Sequence, residues 1–79
     1  MLTAADVEPL MRARLARLGR RVPTADVAWV LARSLPRVLR QWAADYPLPP
    51  SLTQTERRET WRSWAPHVAA VLAEDAAAL

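Results

Sequence analysis

Cysteine is absent from this chain of 79 residues, and glycine occurs only once. The missing cysteine excludes disulfides and thiolate metal sites, and the scarcity of glycine disfavours a turn-rich β protein. No apolar run approaches the ~20 residues of a membrane-spanning helix. The opening MLTAADVEPL carries acids where a secretory signal would carry bases. We therefore expect one small domain over residues 1–79, located in the cytoplasm and not in a membrane.

Lysine is also absent, so all 11 basic residues are arginine. Codon bias in a GC-rich genome explains this usage, and a functional need for the planar guanidinium is the alternative. The arginines are concentrated in the first half, where eight arginines and one acid, Asp26, lie between Arg12 and Arg40. A basic first half followed by a slightly acidic second half is typical of a protein with a polyanionic partner, but it also fits a solvated helix face.

The apolar residues recur at helical spacing, which predicts an all-α fold of four or five short helices around a core of Leu, Val and Trp. Thr3 and Asp6 favour a helix start, with the main first helix beginning near Pro9. Gly19 should end that helix. Thr24 is the expected N-cap of the next one.

Proline and a second capping pattern divide the rest of the chain. Pro36 should kink the second helix, or end it near Arg33. Residues 46–50 should be extended, as a stiff connector or as a strap across the core, because residues before proline avoid the helical region. Thr53-x-x-Glu56 predicts a helix start near Gln54, followed by two nearly collinear pieces that meet at Pro66. The alternative for residues 51–62 is a small β-wing.

No catalytic constellation is visible in the sequence. His67 is the single histidine and is expected on a helix surface, and the scattered acids form no carboxylate pair or metal-ligand set. We therefore expect neither enzymatic activity nor a cofactor. Arg14 falls within an apolar stripe and should extend to the surface or pair with Glu8, Asp45 or Glu74.

Four tryptophans are many for so short a chain. Trp42, Trp61 and Trp64 each lie on an apolar stripe and are expected to fill the core. Trp29 lies opposite the apolar stripe of its segment, on the same side as the arginines of that segment. It is either an interface anchor or a residue covered by another helix.

Residues 27–42, VAWVLARSLPRVLRQW, resemble a helix-turn-helix DNA-binding motif. The residues that carry the resemblance are Ala28, Leu31, Ala32, Ser34 and Val38. The sequence departs from the motif by having Ala32 where glycine is usual and Arg33 where an apolar residue is normal. The resemblance implies that Arg37 and Arg40 would face the major groove or the phosphates.

The downstream segment is similar to excisionase and MerR-type winged-helix families, through Tyr46-Pro-Leu-Pro49 and Trp61-Arg62. Those families often follow the recognition helix with an aromatic–proline strap and a wing that ends in Trp-Arg. The spacing here requires an insertion of several residues, and the Thr53 capping pattern favours helix over wing.

The leading functional hypothesis is therefore a small DNA-binding regulator of the kind that a phage or mobile element encodes. The alternative is a protein-binding inhibitor or adaptor, similar in size and simplicity to phage-encoded anti-CRISPR proteins, that docks on an acidic surface. A homodimeric docking domain is a third option. The residues expected to bind DNA or the protein partner are Trp29, Arg33, Arg37, Arg40, Gln41, Arg12, Arg17, Arg20 and Arg21.

Overall fold

Three α-helices and no strands make up the fold in a computed structural model that describes residues 1–79. Helix α1 spans Ala4–Arg17, α2 spans Thr24–Asp45 and α3 spans Gln54–Ala77. The all-α prediction is confirmed, but there are three helices and not four or five. The β-wing alternative for residues 51–62 is wrong, because α3 already begins at Gln54.

Two capping boxes begin α1 and α3. The Thr3 hydroxyl accepts a hydrogen bond from the Asp6 amide at 3.4 Å, while the Asp6 carboxylate accepts one from the Thr3 amide at 2.9 Å. Thr53 and Glu56 repeat the arrangement at the start of α3. The hydrogen bonds that Thr3 and Thr53 donate lower the pKa of Asp6 and of Glu56 respectively. The cap places the start of α1 at Ala4, earlier than the expected start near Pro9.

Helix α2 begins without such a cap. Pro23 occupies the N-cap position, and no side chain accepts a hydrogen bond from the first turn. The expectation that Thr24 caps this helix was wrong, since Thr24 is already its first residue.

A left-handed glycine ends α1. Gly19 has φ +66°, the Gly19 amide donates to the Ala16 carbonyl at 3.1 Å, and the Arg20 amide donates to the Leu15 carbonyl at 3.0 Å. This pair of bonds is the Schellman arrangement, in which glycine is favoured because it has no Cβ. The predicted helix end at Gly19 is confirmed.

Each helix contains a proline that does not interrupt it. Pro36 and Pro66 therefore do not divide α2 and α3 as expected. All three prolines are exposed, and so are the residues four positions earlier, whose carbonyls lose a backbone donor. Because those carbonyls are on the solvent side, water can replace the missing bond. The three pairs of a proline and the residue four positions earlier are Pro9 with Ala5, Pro36 with Ala32, and Pro66 with Arg62.

Helix α3 packs against both α1 and α2, while α1 and α2 touch each other less extensively. The molecule is elongated, with extents of 42 × 19 × 17 Å. Helices α2 and α3 are each longer than α1. One continuous apolar core runs between the helices and consists of leucine, valine, alanine and methionine, without tryptophan. Its members are Leu2, Val7, Met11, Leu15, Val27, Val30, Leu31, Leu35, Leu39, Ala65, Val68, Ala69, Leu72, Ala73 and Ala76.

The segment between α2 and α3 forms the expected strap. The Arg57 guanidinium donates to the carbonyls of Pro49 and Pro50 at 3.3 and 3.4 Å. Leu48 is half-buried, but Tyr46 remains exposed. None of the three helices is both long enough and apolar enough to cross a membrane.

Candidate binding surfaces

The outward side of α2 carries four large exposed side chains: Trp29, Arg33, Arg37 and Arg40. We call these four residues the α2 outer face. They lie at spacings of four, four and three residues, so they follow one side of the helix over about 16 Å. The opposite side of α2 supplies core residues such as Val27 and Leu31. Burying the apolar stripe therefore leaves the four side chains directed to solvent.

Trp29 is 50% exposed and has an ordered neighbour. The central carbon of the Arg33 guanidinium lies 5.0 Å from the centre of the indole ring. Such a cation–π contact stabilises by about 0.5–1 kcal/mol at an exposed site. No helix covers Trp29, so of the two alternatives for this residue, the one in which another helix covers it is wrong.

The arginines of the α2 outer face have no acidic partner. The only acids on α2 are Asp26 and Asp45, near its two ends, and no ion pair involves Arg33, Arg37 or Arg40. Like charges three or four residues apart destabilise a helix by about 0.2–0.5 kcal/mol per pair. The chain thus keeps a concentration of positive charge there that no ion pair stabilises.

Two arginines of α1 do have acidic partners. Arg12 contacts Glu8 at 2.8 Å, and Arg14 lies 3.8 Å from Glu74, one of the three acids expected for it. The Arg14 Nε atom is buried and makes no hydrogen bond. These two ion pairs of α1 differ from the α2 outer face, where none of three aligned arginines has an acidic partner.

Gln41 does not share the α2 outer face. It lies one residue, or about 100°, around the helix from Arg40. Its amide donates to both carboxylate oxygens of Asp45 at 3.1 Å. Gln41 is exposed, but its donor is already occupied, which weakens its predicted part in binding.

The turn required by a helix-turn-helix motif is missing. Residues 27–42 lie inside the single helix α2. A helix-turn-helix motif would have its turn near Ala32, but this position is helical, and Ser34 is buried within α2. Arg37 and Arg40 therefore do not lie on a separate recognition helix.

The remaining predicted arginines divide into two groups. Arg12, Arg20 and Arg21 line one concavity of about 490 Å³ where α1 connects to α2, whereas Arg17 does not line it. We call this feature the arginine concavity. Its other lining residues are Leu15, Ala16, Val22 and Pro23. The sequence predicted the same binding role for all four arginines. Residue spacing alone does not show that the turn at Gly19 brings three of them to one concavity.

Trp42, Trp61 and Trp64 come together, but at the edge of the core and only half-buried. The ring centre of Trp64 lies 5.6 Å from that of Trp42 and 4.7 Å from that of Trp61. Tyr46 joins them, and His67 stacks on Trp42 at 6.2 Å. Sequence analysis missed the contribution of Tyr46 and His67. The signal available for His67 was its position three residues after Trp64 on the same helix.

Comparison of the chain with known protein families, with curated proteins and with solved structures finds no match.

Proposed function

We propose that this protein is a small binding module that docks through the α2 outer face onto an acidic surface of a partner protein. The observation that carries the proposal is the half-exposed Trp29 with Arg33 stacked on it, in line with two further arginines that have no acidic partner. Tryptophan and arginine are the residue types most enriched among those that dominate binding energies at protein interfaces.

The small residues beside Trp29 support this reading. Ala25, Ala32 and Pro36 are exposed on the same outward side of α2. They leave the indole and the guanidinium groups as the projecting features of the surface. A partner with an apolar pocket for the indole and carboxylates around it would match this pattern, because each arginine can bind a carboxylate with two parallel hydrogen bonds.

The test begins with capture of a partner by the immobilised chain from a lysate of the source cells. The purified partner is then titrated with the wild type and with Trp29→Ala. We expect Trp29→Ala to weaken binding about 30-fold or more, as residues at the centre of an interface contribute about 2 kcal/mol or more.

Arg17→Ala is the matched control, since Arg17 is exposed and belongs neither to the α2 outer face nor to the arginine concavity. It should leave affinity within about threefold of the wild type, which corresponds to less than about 1 kcal/mol. Equal affinities of wild type and Trp29→Ala would exclude the α2 outer face as the docking surface.

DNA binding is the second candidate function, and the absence of acids between Asp26 and Asp45 on α2 favours it. A protein of this shape would place one long helix against DNA in place of a helix-turn-helix pair. In that case, affinity for mixed duplex DNA must fall steeply with salt, because each neutralised phosphate releases counterions. No binding to duplex DNA at low salt would eliminate this candidate.

A homodimer would also cover Trp29. Sedimentation of wild type and Trp29→Ala distinguishes this arrangement from docking on a different protein. Self-association of the wild type that is lost in Trp29→Ala would assign the α2 outer face to a second copy of the chain.

A further inference from the structure

The arginine concavity has a composition suited to an anionic ligand. Its polar side chains are those of Arg12, Arg20 and Arg21, and no acid lines it. Its remaining walls come from apolar residues, including Leu15 and Val22. Three positive groups around one concavity attract an anion more strongly than a single arginine does, because their Coulomb energies add.

Two of the three guanidiniums are held in place by bonds that leave donors free. Arg12 uses Nε and Nη2 on the Glu8 carboxylate at 3.2 and 2.8 Å. Arg20 uses Nη2 on the Ala77 carbonyl at 2.7 Å. A guanidinium has five N–H donors, so each retains unused N–H groups. Arg21 makes no side-chain hydrogen bond within the chain.

The backbone that carries these arginines is also fixed. The Arg20 amide donates to Leu15, and Gly19 takes the left-handed conformation that closes α1. Pro23 restricts φ at the other end of the short connection. A ligand would therefore meet a fixed backbone and two guanidiniums, those of Arg12 and Arg20, that hydrogen bonds already hold, which reduces the entropy lost on binding.

We propose that the arginine concavity binds a phosphate-bearing ligand. Phosphate fits better than a single carboxylate, because it presents more acceptor oxygens and more charge to three planar guanidiniums. This proposal does not depend on the α2 outer face, so either can fail without the other.

The test is an amide chemical-shift titration of the full chain with inorganic pyrophosphate, followed by nuclear magnetic resonance. We expect saturable shifts confined to residues 19–25 and to the neighbourhood of Arg12. Sodium chloride at matched ionic strength should not reproduce them. Arg21→Gln should weaken pyrophosphate binding about tenfold, which is the typical effect of losing a hydrogen bond to a charged group.

Arg17→Gln is the matched control, as it removes one exposed arginine from α1 without touching the concavity. Because the Arg21 side chain forms no hydrogen bond, Arg21→Gln should fold normally, and circular dichroism checks this. Equal effects of Arg17→Gln and Arg21→Gln would overturn the proposal, since they would show general attraction to a basic surface. Shifts that never saturate, or that sodium chloride reproduces, would also overturn it.

A second titration, with a short duplex DNA, identifies the source of the phosphate. Saturable shifts at the same residues, weakened by Arg21→Gln, assign the concavity to a nucleic-acid backbone. Binding of pyrophosphate with no response of residues 19–25 to DNA assigns it to a small phosphorylated molecule. Both results support the phosphate site.

Discussion

Replacing Trp64 by alanine should destabilise the fold strongly, whereas the same change at Trp29 should have little effect. Trp64 is half-buried and contacts three other aromatic rings, while Trp29 is half-exposed and contacts one guanidinium. A fully buried tryptophan contributes about 3–5 kcal/mol relative to alanine, and half of that is about 2 kcal/mol. The T-shaped pair with Trp61, which has the preferred ring geometry, adds about 0.5–1.5 kcal/mol beyond burial, so we expect a loss of about 2–4 kcal/mol for Trp64→Ala.

The expected loss is large for a domain of this size, whose total stability should be about 4–12 kcal/mol at the usual contribution per residue. Trp29→Ala should cost less than about 1 kcal/mol, which is the value of an exposed cation–π contact.

Thermal and urea unfolding followed by circular dichroism measure both variants. Trp64→Ala should lower Tm by about 10–25 °C, given about 4–8 °C per kcal/mol in small domains. A loss below 1 kcal/mol for Trp64→Ala, or equal losses for the two variants, would refute the arrangement of tryptophans described above.

Three further variants test local features of the helices. Gly19→Ala should cost about 1 kcal/mol in urea unfolding, because φ +66° strains a residue with a Cβ even where space is open; an unchanged midpoint would contradict the left-handed helix end. Pro36→Ala should raise stability by about 1 kcal/mol or more, since alanine restores a backbone donor inside a continuous helix; a loss of stability would show that the proline ring is needed for packing. Glu56→Gln should reduce the loss of unfolding free energy that wild type shows as the pH falls. The folded-state pKa of Glu56 is lowered, so the charged carboxylate stabilises the fold at neutral pH, and this stabilisation is lost as the pH falls through that pKa. Equal pH profiles for Glu56→Gln and wild type would contradict the charged capping box.

The local signals in the sequence predicted local structure well. The capping pair Thr53 and Glu56 and the helix-ending Gly19 were identified because each acts through hydrogen bonds or backbone geometry within a few residues. The side of α2 that carries Trp29 was also predicted, since the helical period alone sets which residues share a face.

Features that depend on tertiary packing were predicted less well. Pro36 and Pro66 were read as breaks because proline removes a backbone donor, but packing against the other helices keeps α2 and α3 continuous and leaves the affected carbonyls exposed. The tryptophans were assigned to the core by spacing, and only the three-dimensional structure shows Trp42 and Trp61 at its edge. The arginine concavity depends on how α1 and α2 meet at Gly19, which residue spacing does not encode.

The central claim is that the α2 outer face is the docking surface and that Trp29 dominates it. The most direct measurement compares the Kd of wild type, Trp29→Ala and Arg37→Ala for the captured partner protein at two salt concentrations. We predict that Trp29→Ala weakens binding most, by about 30-fold or more, and that this ratio changes little with salt. A Trp29→Ala variant that binds like wild type, while Arg37→Ala loses affinity in a strongly salt-dependent way, would contradict the claim.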